Sequence, residues 1–209
     1  MDDKIMKLNK ILIATGNKGK FLEFQKYFST YNITCISLSG YNIEEPEENG
    51  KSFEENAYIK AKYYCNITKL PALADDSGLS IDQLDGMPGI YSARWAGDNK
   101  DFSSAIKKIE SKLNAKNTPL DNLSGFFYCA LSLMYPNQQH HSFTGKVCGK
   151  ITFPARGNKG FGYDPIFIPN IPNHHNINKT FGEMTFEEKQ KYTHRTQALD
   201  KLQKYLLTI

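Results

Sequence analysis

LADDSGLSIDQLDGMPGIYSARWAG, residues Leu73–Gly97, is the stretch on which the reading of this chain turns. At its centre stand Asp75, Asp76, Ser77 and Gly78. An apolar run (Leu70, Ala72, Leu73, Ala74) leads straight into the two carboxylates, and a Ser-Gly pair follows. The pattern predicts a buried strand closed by a turn at Ser77-Gly78. Its C-terminal end would then deliver acids into a crevice, where open α/β sheets bind their ligands. Adjacent acids repel each other and lose hydration on burial, and a divalent cation is the usual compensation. The plain alternative is a strand-end turn in which Asp75 and Asp76 only cap backbone groups. This stretch alone leaves both readings open.

Upstream, Ile11, Leu12, Ile13 and Ala14 form a compact apolar run, a central strand by pattern. It runs into Thr15-Gly16-Asn17-Lys18-Gly19-Lys20, then into a helical pattern with Phe21, Phe24 and Phe28 on one face. Strand, Gly-containing turn and helix form the geometry that offers free N–H groups and a helix N-terminus to an anion. Lys18 and Lys20 add positive charge. Neither the Walker A nor the dinucleotide pattern fits this turn. An ordinary βα turn with solvated lysines explains it equally well. Residues 32–38 read as a second short strand. Glu44, Glu45, Glu47 and Glu48 around Pro46 read as a solvated loop from which one glutamate could turn inward toward Asp75 and Asp76. Ser52-Phe53-Glu54-Glu55 is a capping box, so a helix starts there, with Ala57, Ala61 and Tyr64 inward and Lys60 and Lys62 elsewhere on its surface.

Downstream, Leu79, Ile81 and Leu84 suggest a short extended segment, and Gly86-Met87-Pro88-Gly89 a tight turn. The lone tryptophan, Trp95, reads as packing. Asn99 or Asp101 caps a helix that carries Ile106, Ile109 and Leu113 inward. Residues 126–135 make a central strand, and 136–141 a polar turn with His140 and His141 exposed. Residues 142–153 read as two short strands interrupted by Gly145 and Gly149. In KGFGYDPIF, residues 159–167, glycines bracket Phe161, which suits stacking on a flat ligand such as a base. His174 and His175 read as solvated. Thr193 caps the last helix, with Leu199, Leu202 and Leu206 as its apolar stripe. That puts His194 and Arg195 in the first turn, where cations oppose the helix dipole. Such a locally unfavourable choice marks a functional site. Strands alternating with helices in the first half and a meander in the second give an α/β class with a long mixed sheet.

The chain has 209 residues, a formal net charge of +4 and a pI near 8.7. One α/β domain spanning 1–209 is expected, with residues 1–9 a polar extension. The lysines are dispersed, so no nucleic-acid partner is expected. Cys35, Cys65, Cys129 and Cys148 are far apart and form neither a zinc nor a disulfide framework, which points to reduced thiols and a cytoplasmic protein. No apolar run is long enough to span a bilayer, so no membrane partner is expected. The N-terminus carries no signal-peptide pattern.

Seven blocks stand in one order: ATGNKGKFLEF (14–24), PEENG (46–50), SFEENAYIKA (52–61), ALADDSGLSID (72–82), GMPGIYSARWAG (86–97), KGFGYDPIF (159–167) and EEKQKYTHRTQAL (187–199). Together they resemble the inosine triphosphate pyrophosphatase family, the dITP/XTP pyrophosphatases, over nearly the whole chain. The resemblance implies an α/β fold of two lobes with the active site in the cleft between them. It implies a homodimer that uses magnesium to hydrolyse ITP, dITP and XTP to the monophosphate and pyrophosphate. By motif it implies a triphosphate-binding turn at Thr15, Gly16, Asn17, Lys18, Gly19 and Lys20, and a phosphate-facing Lys60. It implies Glu47 and Asp76 as metal ligands with Asp75 their partner, Asp76 also as proton acceptor, and Ser77 as a substrate contact. Phe161, Gly162, Tyr163 and Asp164 fall around the base, and Lys189, His194 and Arg195 close on it. The loop from Pro169 to Asn178 is longer than the family's usual one. Two other activities fit less of this pattern: a pyrophosphatase for other altered nucleotides, and a non-catalytic nucleotide- or nucleic-acid-binding module.

Overall fold

Strand β1, Lys10–Ala14, buries Ile11, Leu12, Ile13 and Ala14 between its two neighbours, as a fully apolar run requires. The computed structural model describes residues 8–171 and 178–208. Most of the polar N-terminal extension, and His174 and His175 of the longer loop, lie outside the described residues. The elements that follow β1 are α1 (Lys18–Ser29), β2 (Thr34–Ser37), α2 (Phe53–Thr68), β3 (Ala72–Ile81), α3 (Ser92–Trp95) and α4 (Phe102–Ala115). Then come β4 (Leu123–Met134), β5 (His140–Ile151), β6 (Phe167–Pro169), α5 (Phe186–Gln190) and α6 (His194–Leu206). The strands form one mixed six-stranded sheet in the order β2-β1-β3-β4-β5-β6. β1 runs parallel to β2, with Leu12 opposite Ile36, and parallel to β3, with Ile13 opposite Leu73. β6 runs antiparallel to β5, with Lys150 opposite Ile168.

The chain divides into two compact units. The first comprises residues through Asp76, Ala130–Phe143 and the chain from Ala198 onward; the second comprises Ser77–Cys129 and Thr144–Gln197. The first unit packs Leu12, Ala14, Ala72 and Ala74 of the sheet against Ala61, Tyr64 and Cys65 of α2. The second is larger in its side chains: Leu79, Ile81, Phe127 and Phe167 meet Ile109 and Leu113 of α4 and Phe181. Trp95 packs on the edge of this second core, with the ammonium groups of Lys108 and Lys112 4.7 and 5.7 Å from its ring centre.

Three expectations from sequence are corrected. No turn interrupts β3 at Ser77-Gly78; the strand runs on to Ile81, and Asp75 and Asp76 sit inside it. The apolar residues Leu79 and Ile81 pack in the second unit's core, and this burial carries the extended backbone past the glycine. Residues 140–151 form one long strand rather than two short ones. Gly149 permits close approach of a neighbour, since a Cβ there would lie 2.4 Å from the Ile168 carbonyl oxygen. His140 and His141 belong to β5 and not to an exposed loop. His140 Nε2 lies 2.9 Å from Ser132 Oγ, its ring meets Tyr58 edge-on, and the His141 ring lies 4.1 Å from that of Tyr205.

Helix starts follow local chemistry. Asn17, Ser52, Asp101 and Thr185 each accept an N–H from the first turn of α1, α2, α4 and α5, respectively. Thr193 does the same for α6 through the N–H of Thr196. At Ser52 the box is only half reciprocal, because Glu55 turns its carboxylate to the N–H of Lys51 instead.

Gly125 in β4 has no room for a side chain: a Cβ would stand 2.4 Å from the Ser80 carbonyl oxygen and 3.3 Å from Ile81 Cα. Gly125→Ala is therefore expected to cost about 1–3 kcal/mol by overpacking. A fall in the denaturation midpoint measured by circular dichroism checks this; an unchanged midpoint contradicts it.

Candidate active site

Asp75 and Asp76 are buried next to each other in β3. Successive strand residues point to opposite faces, and the two carboxylates accordingly have different principal partners. Asp75 accepts from Lys20 Nζ with both oxygens, at 2.8 and 3.0 Å. Asp76 accepts from the Asn56 amide at 3.1 Å through Oδ2, and its Oδ1 lies 3.8 Å from Lys60 Nζ. Lys60 also holds Glu48 at 2.8 Å. Asp75 is therefore positioned first of all by Lys20 of α1.

Burial dominates the electrostatics of Asp76. It pushes the carboxyl up to about 6, against the pull of Lys60, with Glu48 adding to the rise and the Asn56 hydrogen bond opposing it. For Lys60, burial alone would lower the ammonium; Asp76, Glu48 and Asp75 together outweigh it and hold the group above the usual lysine range. Asp75, Asp76 and Glu48 thus lie around the ammonium groups of Lys20 and Lys60. The donors are carboxylate oxygens, the chemistry that hard divalent cations take. Among the described residues no group of three or more His, Cys, Asp or Glu side chains is arranged to hold a metal ion.

The turn after β1 is shaped by its own side chains. Thr15 Oγ1 accepts the Asn17 N–H and Asn17 Oδ1 accepts the Lys20 N–H, both at 3.2 Å. α1 already begins at Lys18, so Lys18 and Lys20 lie in its first turn and not in the loop before it. Lys20 reaches Asp75, while Lys18, Gly16 and Gly19 are exposed. Glu45 lies against this turn, since a Cβ at Gly16 would stand 2.9 Å from its Oε1. Of the acidic segment, Glu48 is the residue brought to Lys60; Glu47 is exposed.

In the second unit, Ser77 of β3 is half-buried. Phe161 is 44% exposed, which is unusual for a phenylalanine and is maintained by its surroundings. Its N–H donates to Asp164 Oδ2 at 2.8 Å, and Lys189 Nζ lies 4.7 Å from its ring centre. Arg195 Cζ is 6.0 Å from the same ring. Lys189 also donates to Asp164. Asp164 is buried; burial raises its carboxyl, and Lys189 and the Phe161 N–H oppose the rise. Gly160 and Gly162 both take positive φ, which turns the chain tightly on either side of the ring. Tyr163 is placed differently: its side chain is buried in the core, and its hydroxyl donates to the Ser92 carbonyl at 2.9 Å. His194 is also buried, its ring stacked on Phe127 at 5.0 Å. Arg195 is buried beside it at the start of α6.

The sequence reading held Glu48 only as one of four glutamates that could turn inward, and it did not single out Asn56. Asn56 is fully buried, four residues before Lys60 and so on the same side of α2. A polar residue among Phe53, Ala57 and Ala61 was the signal available for it.

The fold and this side-chain arrangement define a carboxylate-and-lysine site of the kind that handles phosphate. Comparison with known proteins gives the family: the chain matches the Ham1 family profile over residues 11–205 and belongs to that family. It is 42% identical over 201 residues to a dITP/XTP pyrophosphatase of Rhodopseudomonas palustris, covering 92% of this chain and 93% of that protein. It is also 42% identical to a dITP/XTP pyrophosphatase of Caulobacter vibrioides, over 92% and 95% of the two chains. A solved HAM1 protein from Coxiella burnetii superposes with a TM-score of 0.84 at 37% identity, over 96% of this chain and 99% of that one. The Staphylococcus aureus Ham1 protein gives 0.81 at 35% identity, over 95% and 98%. No helix among the described residues is long and apolar enough to cross a membrane.

Ionising buried Asp76 costs the metal-free fold stability. Its folded value of about 6 lies above the ordinary 3.8, so its contribution to stability falls as pH rises through about 4 to 6. In EDTA at pH 7.5, Asp76→Asn is expected to be more stable than the parent by on the order of 2 kcal/mol, with the difference vanishing below about pH 4. Chemical denaturation of both proteins across pH measures it. A less stable variant at pH 7.5 contradicts the assignment.

Proposed function

We propose that this chain is a magnesium-dependent pyrophosphatase that hydrolyses ITP, dITP and XTP to the monophosphate and pyrophosphate, removing deaminated purines from the cytoplasmic nucleotide pool. The observation that carries the reading is buried Asp76, raised to about 6 and held by Asn56 and Lys60 in a chain that belongs to the Ham1 family. The names of the Rhodopseudomonas and Caulobacter relatives support the substrate class.

In this reading Asp76 accepts a proton from the water that attacks the α-phosphorus. A carboxylate near 6 is mostly ionised at neutral pH and still basic enough to take that proton. Lys20 and Lys60 stabilise charge on the departing pyrophosphate, and the Thr15–Lys20 turn offers its N–H groups to the phosphates. Asp76, with Glu47 or Glu48, would hold magnesium, which when bound supplies Lewis acidity that offsets phosphate charge. Phe161 stacks on the purine. Lys189 and Arg195 donate toward the 6-keto oxygen that hypoxanthine and xanthine carry and adenine lacks. A site built on donors rejects the amino-bearing base strongly. Ser77 and His194 are proposed as further substrate contacts, Gly162 and Tyr163 through their backbone, and Asp164 through Lys189. The active form is proposed to be a homodimer, with no nucleic-acid partner.

Purified protein with magnesium is expected to release pyrophosphate and monophosphate from ITP, dITP and XTP, and far less from ATP. Release of orthophosphate with a diphosphate product, or no turnover of ITP, overturns the reading. Phe161→Ala removes the stacking surface, worth about 1–3 kcal/mol per base. Steady-state kinetics should show KM for ITP rising by roughly 5- to 140-fold, with a smaller change in kcat.

A further inference from the structure

Asn56 lies at a junction that neither the sequence motifs nor the comparisons assign. Its side chain is wholly buried on α2. The amide has a defined orientation: Oδ1 accepts the Gly50 N–H at 2.9 Å, so the NH2 end faces Asp76 and donates to Oδ2 at 3.1 Å. This settles which end of the amide is which, because an N–H can only be met by the carbonyl oxygen. Gly50 closes the acidic segment that carries Glu47 and Glu48. It has no room for a side chain, since a Cβ would stand 2.7 Å from Asn56 Oδ1 and 2.7 Å from Glu55 Cβ. The backbone of the acidic segment, one amide and the Asp76 carboxylate are therefore connected in series. With Oδ2 taken by Asn56, Oδ1 is the oxygen turned toward Lys60.

We infer that Asn56 is a positioning residue for the hydrolysis: its amide, braced by Gly50, fixes the orientation of the Asp76 carboxylate. The inference rests on the reading of Asp76 as the proton acceptor. Asp is not equivalent at 56, because it would set a second carboxylate against Asp76.

The test is steady-state kinetics of pyrophosphate release from ITP with magnesium for the parent, Asn56→Ala and Gly50→Ala. Affinity for a non-hydrolysable ITP analogue and denaturation midpoints are measured alongside. Asn56→Ala is expected to lower kcat by about 10- to 100-fold, the range typical of groups that orient a ligand or base. KM and analogue affinity should stay within about threefold, because misdirecting the base affects the transition state rather than binding. Gly50→Ala displaces the amide from the other side and should lower kcat in the same way; it decides the matter if Asn56→Ala does not fold. A kcat near the parent's in a folded variant overturns the inference, as does a loss carried by KM and analogue affinity with kcat unchanged. Failure of the parent itself to release pyrophosphate overturns instead the functional reading on which the inference stands.

Discussion

Two carboxylates placed side by side inside a buried strand are the constraint from which the first unit's architecture follows. Each needs compensation, and strand alternation prevents one group from serving both equally. Asp75 draws Lys20 from the first turn of α1; Asp76 draws Asn56 and Lys60 from α2. The two helices that follow β1 and precede β3 are thus held to the sheet by ionic as well as apolar contacts. Lys20 can reach Asp75 because α1 starts as early as Lys18, and it starts there because Asn17 caps it. The same ammonium of Lys60 also holds Glu48, so the acidic segment before α2 is drawn to the sheet by the group that faces Asp76.

The second unit handles a different physical problem, how to keep an aromatic ring partly in water. Phe161 is held by its backbone, through Asp164, and not by burial of its ring. The same carboxylate engages Lys189, which lies over that ring. One buried acid therefore fixes both the flat surface and the cation beside it. Gly160 has to be glycine for this arrangement, because its φ is positive and a Cβ would collide with the Asp164 carboxylate.

Much of this was legible in the sequence, for reasons that differ from element to element. The apolar run Ile11–Ala14, the Ser52 and Thr193 caps and the inward stripe of α4 each express a local rule, and each was read correctly. The Ser-Gly pair after Asp76 was misread because its turn propensity is local, whereas the pull of Leu79 and Ile81 into the second core is tertiary. Gly145 and Gly149 misled in the same way: their role in β5 depends on what approaches them, which spacing does not encode. His140 looked exposed because its partners Ser132 and Tyr58 are distant in the chain or hidden in other elements. Among four glutamates in one loop, pattern could not say which turns inward; the ammonium of Lys60 selects Glu48. Family likeness gave Tyr163 and His194 roles at the base, which pattern alone could not give; their side chains are buried, the Tyr163 hydroxyl on the Ser92 carbonyl and the His194 ring on Phe127.

The placement of Trp95 has an optical consequence. It is the chain's one tryptophan, and it belongs to the second unit, where Lys108 and Lys112 lie against its ring. The first unit, which holds the carboxylate cluster, carries only tyrosine and phenylalanine as chromophores. Tryptophan emission is therefore a local signal from the aromatic core beside the Phe161 loop, whereas far-ultraviolet ellipticity averages over both units. A gap between the two melting curves would show that the second unit does not unfold together with the rest of the chain, with no label attached.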